Sequence, residues 1–193
     1  MHRTWKENCE TLRSSLVAIE FTNAALAPVS EDAGFGLWKD LACELGQRRN
    51  TIYLIGNGAS SSMASHFAAD LAKNANLHTE VFSDLSLMTA ISNDIGYDQV
   101  FAEPLRRRGE PGDMLVAISS SGRSPNILAA AEVAAGLKMT LVTLSSMKPD
   151  NPLRRMGQLN LYVPATTYGI AETAHAAALH WWMDLVQAAR CNG

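Results

Sequence analysis

The sequence has little excess charge and no long hydrophobic run. Its 16 Lys and Arg residues are balanced by 19 Asp and Glu residues, for a formal net charge of -3. Proteins that bind nucleic acid or anionic membrane surfaces carry clusters of positive charge. We therefore expect neither nucleic acid nor a membrane as a partner. No stretch approaches the roughly 20 apolar residues of a membrane span, and the first residues lack the apolar core of a signal peptide.

Cysteine is also scarce. Cys9, Cys43 and Cys191 lie far apart in the chain and form no CxxC pair. This spacing does not indicate a zinc or disulfide framework, and it favours reduced thiols in a cytosolic protein. We therefore expect a soluble protein of the cytoplasm.

The chain does have enough apolar material for a single domain. It contains 193 residues, of which 47% are hydrophobic, an ordinary globular composition. The spacing of apolar residues predicts an amphipathic helix from residue 4 to about residue 27, ended by Pro28, and a second helix before residue 50. We expect residues 1–50 to form an N-terminal helical segment and residues 51–193 to form an α/β core.

The core alternates short apolar runs with helical patterns. Strands are predicted at residues 51–55, 80–82, 114–118, 140–144 and 159–163. Such strands, connected by helices, are typical of a parallel sheet covered on both faces. The expected fold is a three-layer α/β/α sandwich with about five parallel strands. Its last helix, from about residue 170 to 189, is so apolar that it packs either inside the subunit or against another subunit.

The loop after residue 118 is rich in hydroxyl groups. It contains Ser119, Ser120, Ser121 and Ser124 and leads into a helix. Open parallel sheets bind ligands at the carboxyl ends of their strands, and a helix N-terminus offers unpaired N–H groups to an anion. We expect this loop to bind a phosphate. In the alternative interpretation, Ser124 only caps the helix and the other serines fill a tight turn.

The loop after residue 55 begins like a dinucleotide-binding fingerprint, with Gly56-Asn57-Gly58. The third glycine of that fingerprint is replaced by Ser61. A phosphorylated sugar explains two polar loops better than a dinucleotide does, so no nucleotide cofactor is expected.

Two further pairs of residues bear on chemistry. His66 and Asp70 are four residues apart on a predicted helix, so they share one face and would reach a single metal ion or substrate. Glu172 and His180 are eight apart, which on a continuous helix means about 12 Å of rise and about 80° of rotation. Either the helix begins after Glu172, or one of the two residues serves a site shared with a neighbouring chain.

These residues together resemble the SIS (sugar isomerase) domain family, and most closely its phosphoheptose isomerase branch. The resemblance covers nearly the whole chain, as a single SIS domain over residues 1–193. It is carried, in order, by Gly56-Asn57-Gly58 with Ser60, His66-Phe67-Ala68-Ala69-Asp70-Leu71, residues 90–97, Pro111-Gly112-Asp113, residues 118–126, and Glu172, His175 and His180.

The resemblance implies a flavodoxin-like or Rossmann-like fold and a homotetramer with active sites at subunit boundaries. The implied reaction interconverts sedoheptulose 7-phosphate and D-glycero-D-manno-heptose 7-phosphate through an enediol. By the same resemblance, Asp70 and His180 act as the acid/base pair. Substrate-binding roles fall to Asn57, Ser60, Asn93, Asp94, Ser119, Ser120, Ser121 and Ser124.

The sequence departs from the family pattern at two of these positions. The family usually has glutamate where Asp70 stands, and the shorter side chain withdraws the carboxylate by about 1.5 Å. It usually has glutamine where Glu172 stands. If His66, Asp70, Glu172 and His180 meet at one point, two imidazoles and two carboxylates suit a divalent metal ion, with zinc the first choice. Glu172 would then share the role of base.

A third departure concerns two segments near the expected site. In the family, the segment that corresponds to residues 145–150 is commonly a glycine-rich turn that contains an acidic residue. The segment that corresponds to residues 168–170 often carries an acidic residue and an arginine. This chain has a different sequence in both segments. These changes leave the exact sugar open. The alternative function is that of a non-catalytic SIS protein that senses a sugar phosphate or recruits a protein partner.

Overall fold

The computed structural model describes residues 4–189. Its helices are α1 (Trp5–Val17), α2 (Glu31–Arg48), α3 (Ala59–Ala75), α4 (Leu85–Asp94), α5 (Ala102–Arg108), α6 (Pro125–Gly136) and α7 (Tyr168–Ala189). Its strands are β1 (Glu20–Asn23), β2 (Pro28–Val29), β3 (Thr51–Gly56), β4 (His78–Glu80), β5 (Met114–Ser119), β6 (Thr140–Ser146) and β7 (Leu159–Val163). Short 3₁₀ turns lie at Tyr97–Gln99 and Leu153–Arg155.

The strands form one sheet in the order β2-β1-β7-β6-β5-β3-β4. The pairs from β7 through to β4 are all parallel. These five strands correspond to the five predicted from the sequence, except that β4 both starts and ends two residues earlier than predicted and shares only Glu80 with the prediction. The chain moves from β3 to β4 on one side and then returns to β5 on the other. The switch point therefore lies between β3 and β5, where a ligand site is expected.

The segment before residue 30 differs from the prediction. A single helix to about residue 27 is wrong, because α1 ends at Val17 and β1 and β2 follow as a hairpin. β1 pairs antiparallel with β7 and covers what would otherwise be an open edge. The ring of Phe21 packs against that of Phe35 at 4.9 Å. The sheet thus has seven strands within the described residues, and residues 4–50 contribute two of them as well as two helices.

The core has one apolar cluster on each face of the sheet, as the three-layer prediction requires. Along β3, Ile52 and Leu54 face the cluster that contains α2, α3 and α7. The alternate residues Tyr53 and Ile55 face the cluster that contains α6. The two clusters are therefore separated by the sheet, as expected for strands buried on both faces.

The last helix packs mainly within its own chain. Trp182 is fully buried and stacks on Trp38 of α2, with ring centroids 4.1 Å apart, while the neighbouring Trp181 is half exposed. Packing inside the subunit thus accounts for most of the apolar surface of α7. No helix within residues 4–189 is both long and apolar enough to cross a lipid bilayer.

The cysteines only partly match expectation. Cys9 is exposed and free. Cys43 is disulfide-bonded, so the prediction of a reduced thiol is wrong for it, because spacing along the chain does not show which thiols a fold brings together. Cys191 lies outside the described residues.

Candidate active site

A cavity of about 190 Å³ opens at the switch point of the sheet. The loops after β3 and β5 and the first turns of α7 form its walls. Most of the predicted substrate-binding residues meet here, together with Glu172. The lining residues are Asn57, Ser60, Ile118, Ser119, Ser120, Ser121, Ser124, Tyr168 and Glu172.

The hydroxyl of Ser124 is directed to the loop and not to the helix that follows it. Ser124 occupies the N-cap position of α6, yet its side chain makes no capping hydrogen bond. Its Oγ lies 3.2 Å from the Oγ of Ser119. The interpretation of Ser124 as a simple helix cap is therefore wrong, and two hydroxyls converge at the entrance to the N-terminus of α6.

Ser120 carries a polar atom that the fold leaves unsatisfied. Its Oγ is buried and has no hydrogen-bond partner within the described part of the chain. A buried hydroxyl without a partner costs about 1–3 kcal/mol. Since Ser120 also lines the cavity, a ligand with hydrogen-bond acceptors would remove this penalty.

The walls of the cavity carry almost no charge. Among the residues that line it, all of which the structure describes, only Glu172 has a carboxyl group and none has a basic side chain. Arg123, although it belongs to the serine-rich loop, lies 3.6 Å from Asp150 on the surface. An anion bound here would be held by hydroxyls and by the N-terminal amides of α6.

A pair of asparagines joins the two loops. Asn57 donates to Asn126 Oδ1 at 2.9 Å, and Asn126 donates to Asn57 Oδ1 at 2.8 Å. The hydroxyl of Tyr97 donates to the same Asn57 oxygen at 3.3 Å. Sequence reasoning assigned no role to Asn126, because the partner of its amide is 69 residues away and no local pattern shows such a contact.

An imidazole–carboxylate cluster forms where α3 meets α7. His66 Nε2 lies 3.5 Å from Asp70 Oδ2, which confirms that the two residues share one face of a helix. The ring of His180 approaches that of His66 at 5.5 Å and that of Phe67 at 4.7 Å. Lys73 Nζ lies 3.8 Å from Asp70 Oδ1 on the solvent side.

Glu172 does not join this cluster. α7 begins at Tyr168, so the alternative that the helix starts after Glu172 is wrong, and His180 lies about 12 Å further along the helix. Within residues 4–189, no three His, Cys, Asp or Glu side chains are grouped closely enough to hold a metal ion. The four predicted ligands therefore do not fit a metal site in one chain.

His175 is buried in the interior and does not reach the cavity. Its Nε2–H donates to the carbonyl oxygen of Ser145 at 3.1 Å, and its Nδ1 has no hydrogen-bond partner within the described residues. Burial lowers the pKa of His175 to about 4, against a small opposing effect of the bond to Ser145. The imidazole is therefore neutral at physiological pH and joins α7 to the end of β6.

Asn93 and Asp94 are not among the residues that line the cavity. Asn93 donates to Asp94 Oδ1 at 2.8 Å at the exposed end of α4. Asn93 lines a separate groove of about 550 Å³ together with Leu85, Met88 and Tyr97. Of the predicted substrate-binding residues, these two alone are absent from the cavity lining.

A mainly parallel sheet with a serine-rich loop at its switch point defines the structural class, and the model of the SIS domain matches residues 38–146. A phosphoheptose isomerase of Helicobacter pylori is 33% identical over 153 residues, which cover 76% of this chain and 79% of the relative. That of Shewanella sp. (strain ANA-3) is 30% identical over 183 residues, covering 91% and 88%. The chain belongs to the SIS domain family and, within it, to the phosphoheptose isomerases.

Solved structures support this assignment. The phosphoheptose isomerase GmhA from Neisseria gonorrhoeae is 26% identical, with a TM-score of 0.77 over 95% of this chain and 99% of that one. A phosphoheptose isomerase from Francisella tularensis shares the fold, with a TM-score of 0.81 at 23% identity over 95% and 96% of the two chains.

Proposed function

We propose that the chain interconverts sedoheptulose 7-phosphate and D-glycero-D-manno-heptose 7-phosphate. Its relatives include phosphoheptose isomerases, and the chain is a sugar-phosphate isomerase. The observation that carries the proposal is the serine-lined cavity at the switch point, in which the buried Ser120 hydroxyl has no hydrogen-bond partner among residues 4–189.

The serine-rich loop binds the phosphate of the substrate in this proposal. The hydroxyls of Ser119 and Ser124 already converge, and the N-terminal amides of α6 add donors and a positive dipole end. The Ser120 and Ser121 hydroxyls complete the set, and Asn57 and Ser60 contact the sugar from the opposite wall. We retain Asn93 and Asp94 as residues that approach the open end of the sugar.

The reaction moves a proton between C1 and C2 of the sugar. This step requires a group that removes and returns the proton and a donor that stabilises the oxygen of the enediol. We assign the acid/base pair to Asp70 and His180, with His66 beside Asp70 to orient its carboxylate. Glu172 is the second candidate for the base because it already lines the cavity.

A single chain does not bring the cavity and the imidazole–carboxylate cluster together. Glu172 and the serine-rich loop line the cavity at the N-terminal end of α7. His180 lies about 12 Å further along this helix, beside His66 and Asp70. The start of α7 at Tyr168 supports the other explanation for this spacing, a site shared with a neighbouring chain. We therefore propose a homotetramer whose active sites lie at subunit boundaries, and the exposed Trp5 and half-exposed Trp181 give α1 and α7 apolar surface for such contacts.

The divalent metal ion stays a prediction, with zinc as the expected metal. The four residues named for it do not fit a site within one chain, so no step of this mechanism passes through a metal. Metal analysis of the native protein by mass spectrometry tests the prediction, and full activity of metal-free enzyme would refute it.

A cytoplasmic location also stays a prediction. It is supported by the substrate, since phosphorylated sugars are charged and do not cross lipid bilayers unaided. The disulfide at Cys43 argues against it, because disulfides are rare in reducing compartments. Cell fractionation, with alkylation of free thiols at lysis, measures both the location and the redox state.

The proposal is tested by incubating the protein with sedoheptulose 7-phosphate in deuterated water. We expect the aldose to form and deuterium to enter at C1 or C2. Ser120→Ala should weaken substrate binding, whereas Ser14→Ala, on the exposed face of α1, should not. Absence of exchange with any sugar phosphate would instead support a non-catalytic SIS protein.

A further inference from the structure

Behind the serine-rich loop lies a buried asparagine, Asn151, outside the residues that carry the family resemblance. Its side chain is fully buried, and both its amide nitrogen and its amide oxygen form hydrogen bonds. Its Nδ2 donates to the Lys148 carbonyl at 2.8 Å and to Ser145 Oγ at 3.2 Å. Its Oδ1 accepts from the Arg154 amide at 3.0 Å. Asn151 thus cross-links residues 145–154 into one rigid support.

This asparagine touches the serine-rich loop at Gly122. Gly122 has a φ of +61°, and a Cβ built on it would lie only 2.0 Å from Asn151 Oδ1. The asparagine therefore packs directly against the Gly122 backbone, at a left-handed position where glycine is also favoured for its own conformation. Displacement of either group would displace the other.

Two backbone bonds attach the loop to the same support. The Ser146 amide donates to the Ser120 carbonyl at 3.1 Å, and the Leu153 amide donates to the Gly122 carbonyl at 3.2 Å. The C=O and N–H of a trans peptide point in opposite directions. A Ser120 carbonyl bound toward β6 therefore directs the Ser121 N–H away from β6, to the side on which Ser120 and Ser121 line the cavity.

We propose that Asn151 is a positioning residue for phosphate binding: it fixes the support at residues 145–154 and thereby the donors of loop 119–124. The inference rests on the proposed function, because it assumes that this loop binds the phosphate. It also gives a role to residues 145–150, where the chain departs from its family. Asn151 itself contacts neither the phosphate nor the reacting carbons.

A matched control is available in Asn160, near the start of β7. Asn160 is also fully buried. Its Oδ1 accepts from Thr143 Oγ1 at 2.8 Å and from the Gly157 amide at 2.9 Å. It lies toward the amino ends of the parallel strands, whereas the cavity lies at their carboxyl ends. Asn151→Ala and Asn160→Ala should therefore cost similar stability and differ only in their effect on the loop.

The experiment measures the Kd of inorganic phosphate by calorimetry, KM and kcat for sedoheptulose 7-phosphate, and the melting temperature of each full-length variant. Asn151→Ala should raise the phosphate Kd and the KM about tenfold, the effect of one to two lost hydrogen bonds on binding. Its kcat should change by less than about twofold, since the lost contact acts equally on bound substrate and transition state. Asn160→Ala should leave Kd, KM and kcat unchanged.

The outcomes separate the two proposals. If the wild-type protein binds no phosphate and converts no sugar phosphate, the proposed function fails. If the wild type does bind phosphate but the two alanine variants behave alike, the role of Asn151 is overturned while the proposed function stands.

A second comparison covers the case in which Asn151→Ala does not fold. Asn151→Ser keeps a hydroxyl and removes Oδ1, the atom that would lie 2.0 Å from a Cβ at position 122, but it retains the Cβ of residue 151, which would lie 2.8 Å away. Gly122→Ala should weaken phosphate binding strongly in the wild-type background and less in the Asn151→Ser background, where the tightest of these contacts is gone. Independent, additive effects of the two substitutions would contradict the proposal.

Discussion

Asn57 and Asn126 each donate to the side-chain oxygen of the other, at 2.9 and 2.8 Å. This reciprocal pair joins the loop after β3 to the first turn of α6, and so connects the two walls of the cavity. Tyr97 adds a third bond at 3.3 Å to the same Asn57 oxygen. The orientation of Asn57, which lines the cavity, is therefore set by a residue that does not itself line it.

Removal of this pair should weaken substrate binding. In Asn126→Ala, the Nδ2 of Asn57 loses its partner in a partly buried position, which should cost about 1–3 kcal/mol of unfolding free energy. KM should rise, because the Asn57 side chain is then held only by its 3.3 Å bond from Tyr97. Urea unfolding and steady-state kinetics measure both effects. An unchanged KM in a folded Asn126→Ala protein would show that Asn57 needs no such support.

The buried imidazole of His175 should make the fold sensitive to acid. Burial holds its pKa at about 4 in the folded state, against 6.5 for the ordinary group. Between these values the unfolded chain binds a proton that the native state excludes. Stability contributed by this group is therefore complete above about pH 6.5 and falls by about 1.4 kcal/mol per pH unit, to a total of about 3 kcal/mol near pH 4.

Urea unfolding across this pH range measures the effect of His175. His175→Gln should flatten the dependence on pH, because an amide still donates to Ser145 but does not titrate. His78→Gln, at an exposed histidine, is the matched control and should keep the wild-type slope. Equal slopes in the wild type and both variants would contradict the assignment.

A site shared between chains should allow two inactive variants to restore each other. Ser121→Asp places a negative charge in the serine-rich loop, and His180→Asn removes the imidazole of the other cluster, so each alone should lose at least about a hundredfold in rate. Mixed oligomers from co-expression, purified through two different tags, should recover roughly a quarter of wild-type activity, since random pairing leaves that share of sites intact. Purified mixed oligomers without activity would place both clusters in one chain.

Glu172 should affect chemistry and phosphate binding in opposite directions. Glu172→Gln removes a base, so deuterium exchange should slow, by about a hundredfold if Glu172 carries the proton. The same change removes the only charge among the cavity-lining residues, so inorganic phosphate should bind more tightly. Calorimetry and mass spectrometry of the product measure the two effects. Unchanged exchange would leave the base role to Asp70.

Much of the fold follows from local pattern. The run Thr51-Ile52-Tyr53-Leu54-Ile55 is β-branched and aromatic and ends at a glycine, and it is a strand in the structure. The hairpin of β1 and β2 could not be predicted in the same way. Its first strand exists because β7 offers an edge to pair with, and that edge is some 140 residues further along the chain.

The candidate site likewise has one part that the local sequence predicts and another part that depends on contacts between distant segments. The serine-rich loop was visible because its hydroxyls are adjacent in sequence and follow a strand. The contacts that orient it, between Asn57 and Asn126 and between Gly122 and Asn151, join separate segments and depend on the packed fold. The four expected metal ligands do not meet within one chain for a related reason, since α7 continues through Glu172 and keeps it about 12 Å from His180 along the helix.

The most direct measurement is a crystal structure of the protein soaked with sedoheptulose 7-phosphate. We expect the phosphate to lie within hydrogen-bond distance of the Ser119, Ser120 and Ser124 hydroxyls, at the N-terminus of α6. We expect C1 and C2 to lie beside Glu172, or beside His180 and Asp70 contributed by a neighbouring chain. A phosphate bound elsewhere, with the serine-rich loop empty, would contradict it.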